Sequence, residues 1–538
     1  MSFDSQPVEL LPSLIYWLQV TFSLMLVVFA TSLFSLAILH RQNAVTIFGH
    51  EITGFLTDLV SISPRRVWAL AKLAFLEAYR RKALLVFVVF GLLMMFAGWF
   101  MGGSNEIIKD QVKIYISFVL RAISWLTLPL MFVLSSFSIP EDIRLRSIHT
   151  VVTKPARRLE IILGRVLGLS LIGTLVLGVM SVVGWIWIIR EIPASVRDML
   201  ICRVPVYGDL AFRDRNGNPV EKGINVGYIN EFRTYIEGAT KARAIWTFKG
   251  ISENSLDSDG NFHLENQFKA FRSYKGDMKR QLLFDYQFRN PDTNLTYTTQ
   301  PSQVDEGRGV TKSIHRTLKM PGEEKTYDLI KDFVGKDGSL IVEVSCIDRE
   351  QYLGMARIDL FVRLPDRNFA SGYFKAVLGI EMVIVLVVLL GVCASTFLKG
   401  PIATVLTFLL YFLSGEDIHK FIDQLVIGRS SKEGFQGGGI FESIYRIVTH
   451  MNPTTELPDN IAFKAVTKID EEATSFLWVC KQVIPRLESF NMHEYVANGF
   501  DVPWDRSLLP CLLVTLAYFL PCVLLGFFAL RVRELESK

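Results

Sequence analysis

Residues 138–165 read SIPEDIRLRSIHTVVTKPARRLEIILGR, a charged stretch set between two long apolar runs. Ser138-Ile-Pro-Glu141 has the spacing of a helix N-terminal capping box, with proline in the first turn, where its missing N–H costs nothing. Leu145, Ile148, Val151 and Val152 then form one apolar stripe, while Arg144, Arg146 and His149 fall elsewhere. Pro155 disfavours helix at Lys154, and a second helix is expected from near Arg157 into the following apolar run. The stretch therefore predicts a short basic amphipathic helix within 139–158, joined stiffly to the spans on either side. Such a helix can lie on lipid headgroups or dock into a groove on a partner protein. An ordinary basic loop is the plainer alternative.

The surroundings make this a membrane question. The chain has 538 residues, is 50% hydrophobic and has a mean hydropathy of +0.32, more apolar than soluble chains of this length. Runs of about 20 apolar residues, enough to cross a bilayer, occur at 11–39, 83–101, 114–139, 161–189, 374–398 and 508–530. The first is too long for a signal peptide and follows an acidic leader, so a retained span is expected. A seventh run, 401–413, is 13 residues long; at about 1.5 Å per residue it falls short of the hydrocarbon core and either recruits its flanks or dips back as a re-entrant piece.

Lysine and arginine counts in the short loops set the expected orientation. Residues 40–82 hold Arg41, Arg65, Arg66, Lys72, Arg80, Arg81 and Lys82, and 140–160 hold Arg144, Arg146, Lys154, Arg157 and Arg158. The loop 102–112 has Lys109 alone, while the C-terminal tail carries Arg531 and Arg533. The basic segments are thus expected in the cytoplasm, with 191–371 and 415–507 outside. The net charge of +4 reflects this bias and gives no argument for nucleic acid.

Segment 191–371 has a different grammar. Alternating runs such as ARAIWTFKGI, QLLFDYQFRN, SLIVEVSCID and ARIDLFVRL read as strands. Turn signals at Asn216-Gly217, Asp259-Gly260, Pro291-Asp292 and Asp337-Gly338 separate them, which suits an antiparallel sandwich of about eight strands. Segment 415–507 has helical spacing broken at Gly437-Gly438-Gly439 and Pro453. The six cysteines show no metal-binding spacing, and a Cys202–Cys346 disulfide suits an oxidising exterior.

The opening stretch resembles the signature of ABC-2-type permeases, the membrane subunits of a class of ATP-binding-cassette transporters. That signature runs from an acidic residue through Gly-Thr, an apolar run, proline and Ser-Arg to an apolar run ending in Gly-Lys. Asp142 stands at the acidic position, Ser147 at the threonine, Pro155 at the proline, Arg158 at the arginine and Gly164-Arg165 at the closing pair; Arg146 replaces the glycine. The resemblance implies that 139–158 is a coupling helix seated in an ATPase subunit, with Asp142, Arg144, Ser147, Ile148, Lys154, Pro155 and Arg158 as its coupling residues. The stretch PRRVWALAKLAFLEAYRRKALLVF from Pro64 looks like the family's interfacial elbow helix. Val67, Trp68, Ala71, Phe75 and Ala78 would face lipid, and the helix would run unbroken into the span at 83–101.

The expected architecture is a polytopic α-helical membrane protein of about seven spans, with a six-span ABC-2-like core and a β-sandwich-like extracytoplasmic insert. Its order is an extra span in 1–40, a cytoplasmic segment with the elbow in 41–82, three core spans in 83–190, the insert in 191–371, two core spans in 372–414, a helical outer segment in 415–507, and the last span and cytoplasmic tail in 508–538. By resemblance the chain pairs as a homodimer or heterodimer with a second permease in the cell inner membrane, in contact with lipid, and works as an exporter. No GxxxxGK[ST] loop occurs, so the chain itself is expected to carry no cofactor and no enzymatic activity, ATP being bound by the partner ATPase.

Asp257-Ser-Asp-Gly-Asn261 lacks the later glutamate of a calcium loop and reads as a hairpin turn. His263 and His315 have no nucleophile at a diagnostic spacing. Arg121 and Glu381 lie at similar depth in two spans, where charges are costly unless paired; the expectation is an Arg121–Glu381 pair, lining a path or bracing two helices. A receptor or scaffold whose β-domain binds a ligand remains the alternative from another class.

Overall fold

The structure is a computed structural model that describes residues 9–40, 44–80, 85–101, 108–144, 157–192, 197, 200–226, 232–272, 281–304, 309–320, 325–430, 439–452, 455 and 461–536. The chain divides into two compact units, one formed by 198–372 with 498–501 and the other by 7–197, 373–497 and 502–538.

The second unit is helical. Its helices are α1 (Leu10–His40), α2 (Ala44–Val60), α3 (Pro64–Arg80), α4 (Leu85–Met101), α5 (Ile108–Arg144), α6 (Arg158–Glu191), α7 (Phe369–Phe397), α8 (Gly400–Leu413), α9 (Glu416–Ser430), α10 (Ile440–Val448), α11 (Ile461–Val483), α12 (His493–Ala497) and α13 (Leu509–Glu536). Among the described residues five stretches are long and apolar enough to cross a membrane: Leu10–Phe34, Val112–Arg144, Arg158–Glu191, Phe369–Phe397 and Trp504–Leu530. They coincide with five of the six long runs in the sequence. The sixth run, 83–101, carries α4, in which Leu85–Phe96 is a shorter apolar helix among the described residues. The short run at 401–413 forms α8, which bends by 66° into Asp417–Val426, a pair that counts as one broken span or a re-entrant loop. Residues 81–84, where the elbow was expected to continue unbroken into α4, lie outside the described residues. The sequence reading missed α2 altogether.

Packing orders these helices. Trp17 Nε1 donates to the Ala517 carbonyl at 3.0 Å, and Phe29 meets Phe528 edge-on at 5.2 Å, holding α1 to α13. Phe55 of α2 meets Phe527 at 5.1 Å. Between α5 and α8, Phe132 packs on Phe408 and Tyr411.

The first unit is the β insert, and it is richer than the eight strands expected: among the described residues it has sixteen strands in four sheets. A seven-stranded sheet runs in the order Ser302–Gln303, Leu283–Arg289, Leu340–Cys346, Arg243–Phe248, Asp209–Arg213 and Pro219–Val220, with Thr296–Thr298 pairing on Leu283–Arg289. A four-stranded sheet runs Ile201–Tyr207, Leu360–Asn368, Asn261–Asn266, Val310–His315. The paired strands are antiparallel. Both sheets turn alternate residues into one core, in which Trp246, Phe284, Phe288 and Val342 from the larger sheet meet Phe262, Leu264 and Val362 from the smaller. The burial of Leu283–Arg289 alternates strictly, as its sequence does. Gly217, Gly260 and Gly338 take positive φ at the expected turns, where a side chain would be strained. Asp257 sits in such a turn, accepting the Gly260 N–H on its carbonyl at 2.9 Å.

The Cys202–Cys346 disulfide that an oxidising exterior would allow is not formed. Cys202 lies on the four-stranded sheet and Cys346 on the seven-stranded one, both buried thiols. Burial pushes the Cys346 thiol up to about 12, and the thiolate is the form that alkylates. Native protein at pH 8 should therefore leave Cys346 unmodified by iodoacetamide, and denaturation should expose it; peptide mass spectrometry reads both states, and rapid native labelling would contradict the packing described here.

Candidate functional site: the ion-pair base beside residues 145–156

Ser147, Ile148, Lys154 and Pro155, with Arg146, lie outside the described residues. What the structure describes is how the two ends of that segment are held. On the incoming side the expected capping box does not exist. Helix α5 runs through Pro140 without a break to Arg144, and the buried Ser138 hydroxyl has no partner among the described residues. The Ser-x-Pro-Glu spacing misled because Ile139 and its neighbours stay buried, so packing carries the helix past the proline. Arg144 closes this helix at the exposed end, 3.4 Å from Glu141. On the outgoing side the helix start is as expected: Arg157 is the N-cap and Arg158, half-buried, is the first residue of α6.

Two nodes of charge join these ends to the rest of the unit. Arg165, nearly buried, donates to Glu77 of α3 at 2.5 Å and also pairs with Asp142 of α5. The acidic and closing basic positions of the signature are thus brought into direct contact across the segment between them. The second node is Glu160, whose side chain is fully buried. It accepts from Arg66 Nη2 at 2.7 Å and Nε at 3.0 Å, from the Ser63 N–H at 2.9 Å and from the Arg157 N–H at 3.1 Å. Ser63 precedes α3 and Arg157 precedes α6, so one carboxylate satisfies backbone donors at two helix N-termini, where negative charge is favoured. Arg157 reaches on to α2, donating to Asp58 at 3.1 Å and to the Thr57 carbonyl at 2.8 Å.

Below the nodes α3 and α6 touch backbone to backbone. A Cβ on Gly164 would sit 2.5 Å from Leu70 Cβ, and one on Gly168 would sit 2.3 Å from the Ala71 carbonyl oxygen. Ala71, Ala74 and Ala78 are buried, whereas Trp68, Leu73, Leu76 and Tyr79 are exposed. The expected lipid face of the elbow is therefore corrected: Ala71 and Ala78 face another helix, and small residues at this spacing allow the close approach. Gly164-x-x-x-Gly168 was the signal that sequence reading passed over.

The expected Arg121–Glu381 pair is not made. Arg121 Nε lies 3.1 Å from His493 Nε2, with Glu494 at 3.9 Å, both on α12. Glu381 accepts from Thr174 of α6 at 2.7 Å. The expectation rested on similar depth along two helices, which says nothing about rotation around them.

The chemistry offered by the base is mechanical. Asp142, Glu77, Arg165, Glu160, Arg66, Arg157 and Asp58 bind the last turn of α5 and the first two turns of α6 to α2 and α3. No cluster of His, Cys, Asp and Glu able to hold a metal occurs among the described residues. No family model, no curated protein and no solved structure matches this chain.

Proposed function

We propose that the chain is the membrane permease subunit of an ABC-2-type transporter, driven by a separate ATPase that grips the segment 139–158. The observation that carries this reading is the clamp itself: Asp142 and Arg165, at the two ends of the signature, are bonded to each other, and Arg165 is bonded to Glu77 of α3. A force applied to 145–156 then reaches α2, α3, α5 and α6 together instead of bending one loop. That is the property required of a lever by which ATP-driven closure of a partner rocks the spans between two arrangements. The sequence has no phosphate loop, and in this reading the partner binds ATP. In this reading the chain lies in the cell inner membrane with its C-terminus in the cytoplasm, pairs with a second permease, and exports its cargo.

The test is co-purification. Mild-detergent extracts of the native host should yield, with this chain, a protein bearing a GxxxxGK[ST] loop. Pro155→Ala or Arg158→Ala should lower transporter-stimulated ATP hydrolysis by about tenfold, the change given by ~1.4 kcal/mol of lost coupling, without releasing the chain from the membrane. Capture of no ATPase, or labelling of Ser147→Cys by a membrane-impermeant maleimide added from outside, would overturn the proposal.

A further inference from the structure

Glu381 is the thirteenth residue of the 29-residue helix α7, and Thr174 is the seventeenth of the 34-residue helix α6. Their contact therefore lies near the middle of two spans, where a carboxylate is expensive and marks a site for something. Its hydrogen bonding is poor. The Thr174 hydroxyl has a single proton but two acceptors, Glu381 Oε1 at 2.7 Å and the Ser170 carbonyl at 2.9 Å. Among the described residues Glu381 Oε2, a buried atom, has no partner, and neither has the buried hydroxyl of neighbouring Ser170. No Lys or Arg pairs with Glu381 among the described residues; Arg121, the cation expected there, is engaged by His493 and Glu494.

The edge of this place is exposed, and a small turn of the Glu381 carboxyl would bring its covered Oε2 to it. Thr174 is exposed and Glu381 half-buried on the face of the helical unit. One turn along α6 from Thr174, a Cβ on Gly178 would find no heavy atom within 4 Å, so the helix carries a notch there. Along α7 the wall beside it is apolar and exposed, with Leu378 and then Phe374 following Glu381 toward the start of the helix. Phe374 leans on Trp185 of α6 at 6.2 Å.

We propose that this seam between α6 and α7 is a mid-membrane binding site for the cationic amine of an amphiphilic molecule. The ammonium supplies the donors that the Glu381 carboxylate lacks, Thr174 lends its hydroxyl, and the apolar tail lies along Leu378 and Phe374. Charge complementarity selects the occupant: a carboxylate accepts at up to four lone-pair sites and an ammonium offers three donors, and the bond is charge-assisted in a medium that screens it little. Neutral lipids and anionic amphiphiles leave the carboxylate unanswered. The binding site stands on this geometry alone; that its occupant is also the cargo rests on the permease reading, and a binding assay run without ATPase keeps the two separable.

The full chain reconstituted in phosphatidylcholine nanodiscs should be photolabelled with a diazirine-bearing sphingosine and, in parallel, with a diazirine-bearing hexadecanol. Peptides of α6 and α7 should take up the amine about tenfold more than the alcohol, a ratio within the strength of one charge-assisted hydrogen bond. Glu381→Gln should bring that ratio to about one, and Gly178→Leu should suppress capture of the amine by filling the notch. On the unmutated chain, hexadecylamine should compete and hexadecanol should not, which tests the site even if a variant fails to fold. Equal capture of amine and alcohol by the unmutated chain, or an amine preference that survives Glu381→Gln, would overturn the proposal.

Discussion

Arg165→Ala is expected to lower the stability of the helical unit by about 3–5 kcal/mol, the usual consequence of stranding buried charge. The guanidinium lies between two carboxylates, Glu77 and Asp142, and its own side chain is only 9% exposed. Removing it leaves both acids in a poorly hydrated cleft and adds a cavity. Glu77 is 29% exposed, so water recovers part of its loss and the effect falls toward the lower end of that range. Thermal unfolding in detergent reads the outcome. The interpretation is sharpened by Arg165→Ala combined with Asp142→Asn and Glu77→Gln, which removes the stranded charges and should recover a large part of the stability. Arg165→Lys should fall between, since a point ammonium cannot serve two carboxylates in the fixed fork geometry of a guanidinium. A single Arg165→Ala variant that melts with the unmutated chain would show that the two ends of the segment are not held together at this point.

How much of this was readable from sequence varies with the range of the interaction. Long apolar runs identified five crossing helices because length and hydropathy are local properties. The strand Leu283–Arg289 announced itself through alternation, and Gly217, Gly260 and Gly338 marked turns that need positive φ. Strands such as Pro219–Val220 and Ser302–Gln303 are two residues long and carry no period to detect, which is why the sixteen strands among the described residues read as about eight. Glu160 was passed over for another reason: Arg66 and Ser63, which satisfy it, lie 94 and 97 residues away in sequence. In the string RRLEII it looks like one more charge in a basic stretch. The elbow helix went wrong in the opposite way. Its periodicity was genuine, but lipid and a neighbouring helix are equally apolar, so hydrophobic spacing cannot say which of them a stripe of alanines meets.

That ambiguity makes Gly168→Leu a strongly disruptive change. The first added carbon would lie 2.3 Å from the Ala71 carbonyl oxygen and 2.8 Å from Ala74 Cβ. A flexible side chain could turn aside, but a backbone carbonyl in mid-helix cannot, so α3 and α6 must part. Overpacking of this kind typically costs about 1–3 kcal/mol, and here the separation reaches further. The Arg66–Glu160 bonds at 2.7 and 3.0 Å and the Arg165–Glu77 bond at 2.5 Å all cross the same seam. Helices pushed apart by an ångström or more lose them together, adding the penalty of buried unpaired charge. The expected result is a chain that is unfolded or degraded at temperatures the unmutated protein tolerates. Gly178→Leu is the matched control, because the same substitution on the same helix meets open space and should leave thermal stability nearly unchanged. If the two variants melted alike, close contact between α3 and α6 would not be what holds the base in place, and the clamp on 145–156 would lose its anchor.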